Sequence, residues 1–169
     1  MLTVRNNVYF HDDVTTENIT KLVNELNVAT TYAMKNKIPQ VHVFIQTDGG
    51  NIYAGFSGMR HIEKNPIPVV THVDGWVASA GTFMLLGGYQ RVMPKYSQMC
   101  IHQLRSIAYG KYTEIVEETE ICERIMRMMK HIYKEKANIP DKVYKKLMKK
   151  EMVLHADECL EYKLIDEIE

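Results

Sequence analysis

The chain has 169 residues, 46% of them hydrophobic and 25% charged, the make-up of one globular domain large enough to bury a core. Lys plus Arg and Asp plus Glu both number 21, so no basic excess points to nucleic acid or to an anionic membrane surface. Cys100, Cys122 and Cys159 are widely spaced with no CxxC pair, no apolar run reaches the ~18 residues of a membrane span, and the opening MLTVRNNVYFHDD lacks a signal-peptide pattern. These features read as free thiols in a cytoplasmic chain rather than a disulfide framework or a zinc site, with no signal peptide and no membrane span expected.

In chain order, Val4 to Phe10 reads as a first strand. Thr15 and Thr16 are good caps for a helix carrying Ile19, Leu22, Val23, Leu26 and Ala29 on one face. Val41 to Ile45 is a second strand, ending at the turn Thr47-Asp48-Gly49-Gly50. A helix from Tyr53 to Lys64 stops before Asn65-Pro66, and Val69 to Val73 forms a third strand. Ala78, Ser79, Ala80 and Gly81 open a further helix with the apolar body Phe83 to Leu86. Short strands follow at Gln90 to Met93 and Gln98 to Ile101. After a polar, irregular stretch comes a long helix, Thr113 to Lys136. Its apolar positions Ile115, Ile121, Ile125, Met128, Met129 and Ile132 cover more than one face. A helix at Asp141 to Lys149 and a turn at Ala156 to Tyr162 complete the chain. Strands alternating with helices predict an α/β fold with mostly parallel strands, whose ligand chemistry sits where strands turn into helices.

Two glycine-rich turns have that position. Ser79 lies at a strand-to-helix junction among small neighbours, where a carbonyl can approach and developing negative charge is favoured. Gly49-Gly50 can turn backbone N–H groups into a concavity, as an oxyanion hole requires. His102 follows a strand and can take a serine proton near neutral pH. Each signal alone has a blander reading: a packing serine, a plain turn, a structural histidine.

Together, DGG, VASAG and MCIHQ occur in order, each at a strand end, and here the chain resembles the Clp protease proteolytic subunit family. The tail Ala156-Asp-Glu-Cys-Leu-Glu-Tyr-Lys-Leu-Ile-Asp166 is similar to that family's closing segment, and the likeness runs from Val8 to Glu169. The resemblance implies an α/β, ClpP/crotonase-like spiral of ββα units in one domain, 1–169. Its head would be about 1–104 and 140–169, and its protruding handle helix about 105–139. It implies a serine endopeptidase cutting unfolded polypeptides, with Ser79 as nucleophile and His102 as general base and then acid. The N–H groups of Gly50 and Ala80 would form the oxyanion hole, with Gly49 and Leu104 against the substrate. The position of the family's orienting aspartate is Glu151 here. No cofactor, metal or ATPase of its own is implied. The partners implied are copies of itself, in heptameric rings that stack into a tetradecamer, and an AAA+ unfoldase.

The sequence departs from the family at several points. A glutamate at position 151 moves the carboxylate by roughly one bond length, ~1.5 Å, with Asp157 as fallback. The helix and axial loops that precede the first strand in the family have no counterpart, which puts gating and unfoldase docking in doubt. Leu104 replaces a proline, and Arg105 to Lys111 replaces a glycine-rich segment that pairs with peptide. Asp74-Gly75 and the glutamate also resemble bacteriophage members, which would place the chain in a host cytoplasm. Two other readings compete: a catalytically inactive ring subunit with a misaligned triad, and a crotonase-type acyl-CoA enzyme, which needs no Ser–His pair.

Overall fold

The computed structural model describes residues 1–169. The first strand is a hairpin rather than one run: β1 (Leu2–Val4) pairs antiparallel with β2 (Asn7–His11) across a tight turn in which Arg5 has φ +58°. α1 (Thr16–Lys35) begins at a Thr15 cap whose side chain accepts from Asn18 N–H, and it buries Ile19, Leu22, Leu26 and Ala29. In β3 (Val41–Thr47), Val41, Val43, Ile45 and Thr47 face the core while His42 and Phe44 face outward, the two-residue period of a strand covered on one side. α2 (Ile52–Glu63) starts at Asn51, whose side chain caps Ala54 N–H.

β4 (Val69–Ala78) runs past Asp74-Gly75, five residues beyond the predicted end at Val73. The pairing with β3 slips between Ile45–Val73 and Thr47–Val77, and Gly75 in the slipped stretch has φ +84°. The bend lets one strand serve two neighbours. Val70–His72 pair with β5 (Gln90–Met93), whereas Trp76–Ala78 pair with β6 (Gln98–Ile101). Between them, α3 (Gly81–Leu86) is fully buried and only six residues long.

α4 (Tyr112–Lys136) projects from this body and buries only Ile125, Met129 and Tyr133, all in its second half. α5 (Asp141–Leu147) leads into β7 (Met152–His155), a strand the sequence pattern did not reveal, which pairs antiparallel with β6. α6 (Ala156–Glu161) and β8 (Glu167–Ile168) close the chain. The sheet order is β1-β2-β3-β4-β5-β8, with β6 attached to the second half of β4 and β7 to β6.

Candidate active site

Register explains why residues far apart in sequence meet. Thr47 pairs with Val77 and Ala78 with Cys100, so parallel β3, β4 and β6 end together and release Asp48-Gly49-Gly50, Ser79 and His102 at one carboxyl edge. Antiparallel β7 supplies the fourth part: Met152 pairs with Ile101, which sets Glu151 beside His102 in the topology.

Ser79 is not the first turn of a helix, as the sequence predicts, but a one-residue elbow between β4 and α3. Its φ of +53° is left-handed, a conformation costing a non-glycine residue of order 1 kcal/mol or more. Three bonds hold it there. Its N–H donates to Cys100 O at 2.9 Å, and its carbonyl accepts from Thr82 N–H at 3.0 Å and Thr82 Oγ1 at 2.7 Å. The Thr82 hydroxyl has one hydrogen and gives it to Ser79, so the 2.6 Å contact with the buried Tyr133 phenol has Tyr133 as donor. Burial pushes the Tyr133 phenol up, so it keeps that proton. This chain from α4 to the elbow has no signal in the sequence pattern, in which Tyr133 does not stand out. Because α3 is so short, nearby amides rather than a helix dipole supply the positive potential at Ser79.

Those amides come from the two turns. A Cβ on Gly49 would fall 2.5 Å from Ser79 Cβ, and one on Gly50 2.5 Å from Val14 O. Only glycine lets the 49–50 turn lie against the elbow. Gly49 gives its N–H to Thr47 Oγ1, its carbonyl accepts from Val14, and Asn51 N–H donates to Val14 O. The N–H groups of Gly50 and Ala80 donate to no backbone carbonyl.

Ser79, Gly50, His102 and Leu104 line one cavity of about 520 Å³ whose apolar floor is Phe83, Ile125, Met129 and Tyr133. Gly49 is not among the lining residues. Leu104 N–H donates to Met126 Sδ at 3.2 Å. The half-exposed His102 ring is not bonded to the Ser79 hydroxyl. Its Nδ1–H donates to its neighbour's carbonyl, Gln103 O, at 2.6 Å, which leaves the Nε2 lone pair open. Glu151 does not touch the imidazole. It accepts from Arg105, and both border a smaller cavity beside His102. Asp157 lies in the first turn of α6. Burial pushes the Cys159 thiol up to about 12 and also raises Cys100, so neither is a nucleophile at neutral pH.

A twisted sheet with helices on its faces, a strained serine at a strand end and one long projecting helix define an α/β spiral protein of the ClpP type. The profile described as Clp protease matches residues 1–169. Curated relatives named ATP-dependent Clp protease proteolytic subunit include that of Oltmannsiellopsis viridis, 26% identical over 151 residues (88% of this chain, 77% of the relative). That of Pleurastrum terricola is 26% identical over 156 residues (91% and 78%). In structure the chain is similar to a mutant ClpP1 from Listeria monocytogenes, with a TM-score of 0.83 and 20% identity over 98% of this chain and 91% of that one. The chain belongs to the Clp protease family. No helix is long and apolar enough to cross a membrane.

Proposed function

We propose that the chain is a serine endopeptidase in which Ser79 Oγ attacks the scissile carbonyl while His102 Nε2 removes its proton. The Gly50 and Ala80 amides receive the oxyanion, and the imidazolium then protonates the leaving amine. Water repeats the sequence on the acyl-enzyme. The observation that carries this reading is the left-handed Ser79 elbow, held by three hydrogen bonds beside two amides without backbone partners. Arg5, Lys37 and Lys163 share this backbone region, but of the four only Ser79 lines the cavity.

Substrates are unfolded polypeptides, and the working form is stacked rings. In support, the first half of α4 exposes Ile115, Val116 and Ile121, its second half exposes Met128, and the segment before it exposes Ile107 and Tyr109. Such apolar area is stable only when covered, and the outer end of a projecting helix has no cover within its own chain.

One observation favours a second reading, a ring subunit without activity: Glu151 is held by Arg105 and His102 by its own neighbour. The test is a fluorophosphonate probe with a quenched peptide on the assembled protein. Wild type should label and cleave, Ser79→Ala should do neither, and His102→Ala should lose about a thousandfold or more in turnover while still assembling. Absence of labelling in every oligomeric state would establish the inactive subunit.

A further inference from the structure

Charge is distributed unevenly around the Ser79 cavity. Of its lining residues, Asp48 and Glu118 are acidic and Arg105 is basic. Arg105 is already neutralised by Glu151. Glu118 accepts from the Ser106 hydroxyl at 2.7 Å and lies near the Cys122 thiol, while Asp48 accepts from the Trp76 indole at 2.8 Å. Neither carboxylate has a cationic partner. Past Asp48 a shallower cavity of about 380 Å³ carries Asp13, which has no cationic partner, and Asp12, which the N-terminal ammonium pairs at 3.0 Å. In a chain whose net charge is zero, the two flanks of the nucleophile are therefore acidic.

The acid and the apolar floor lie along one helix face. Glu118, Cys122, Ile125 and Met129 follow a single stripe of α4, and the stripe becomes buried only from Ile125 onward. At 1.5 Å per residue, Glu118 stands about 10 Å from Ile125 along the axis. An extended peptide covers that distance in about three residues.

Building on the peptidase reading, we propose that this site selects basic polypeptide segments. A large apolar side chain occupies the floor at Phe83, Ile125 and Met129. A lysine or arginine about three residues away meets Glu118, and positive charge on the other flank meets Asp48. Glu118 and Asp48 are specificity determinants here, and acidic segments are rejected.

The test uses the assembled full chain and quenched peptides sharing one apolar anchor, with Lys, Gln or Glu three residues away on either side. At low salt, kcat/KM should fall in the order Lys, Gln, Glu by about fivefold per step, the scale of a half-exposed ion pair. The spread should collapse in high salt, and Glu118→Lys should invert the order on one flank. Equal kcat/KM across the series, or an order untouched by both Glu118→Lys and Asp48→Asn, overturns the proposal. Polarisation binding of the same peptides to Ser79→Ala separates this from the chemistry. A charge order in binding supports the proposal even where nothing is cleaved, and its absence overturns the proposal even where cleavage is fast.

Discussion

The two halves of the candidate site are built differently. The nucleophile half, Gly49-Gly50 with Ser79 and Thr82, lies at the ends of central strands, with Gly49 tied by two and Ser79 by three hydrogen bonds to the strands and helix around them. The imidazole half, His102 to Lys111 with Glu151, has no regular structure after Ile101, is largely exposed, and satisfies its polar groups with near neighbours. One chain suffices to set the first half. The second has few contacts to fix it, so its geometry is open to whatever packs beside it.

The sharpest way to break the contrast is to disturb the rigid half from its own side. Gly49→Ala places a methyl 2.5 Å from Ser79 Cβ at a φ of +101°. The serine must move by about an ångström, and turnover should fall roughly a hundredfold while rings still assemble. Full activity in this variant would mean that the elbow is not the chemical centre.

The loose half should respond in opposite directions to its two charges. Glu151→Gln removes the carboxylate that shares a small cavity with His102 and would steady an imidazolium once released from Arg105, and kcat should drop about tenfold or more. Arg105→Ala frees Glu151, and kcat on a neutral peptide should hold or rise by about threefold. Steady-state rates on assembled protein read both. If both variants match wild type, Glu151 has no part in the chemistry and the Gln103 carbonyl alone orients the ring.

The same division explains what was legible in the sequence. The periodic strands and helices of the head could be read directly, because half-covered sheets and amphipathic helices write their burial into the pattern. β4, which leads to Ser79, reads as ending at Asp74-Gly75 because a glycine within a slipped register looks like a turn. β7 escaped because Met152 to His155 earns its strand only by pairing with β6, a long-range fact. Ser79, His102 and Gly50 came from motif order and from family resemblance, not from periodicity. The Arg105–Glu151 pair and the Tyr133–Thr82 chain were invisible: each joins side chains from distant segments whose local strings say nothing of one another.

The smallest effect concerns acid. On the strands that lead into the rigid half, the Tyr9, Phe44 and His72 rings stack across β2, β3 and β4, and His42 Nδ1 lies 2.9 Å from His72 Nε2. Burial pulls the His72 pKa down to about 4 and lowers that of His42, with His42 itself adding to the effect on His72 and Asp74 opposing it. Both rings are therefore neutral in the folded chain at neutral pH. Between pH 6.5 and about 4 the unfolded chain binds protons that the folded sheet refuses, so stability must fall as pH falls through that window. The melting temperature should decline by a few degrees across it, and His72→Phe, which keeps the stacked ring and removes the proton site, should flatten the decline. If His72→Phe melts with the same pH slope as wild type, the acid response comes from elsewhere. The contrast between the halves then loses its thermodynamic signature, because the rigid half would be no more sensitive to a buried proton than the loose one.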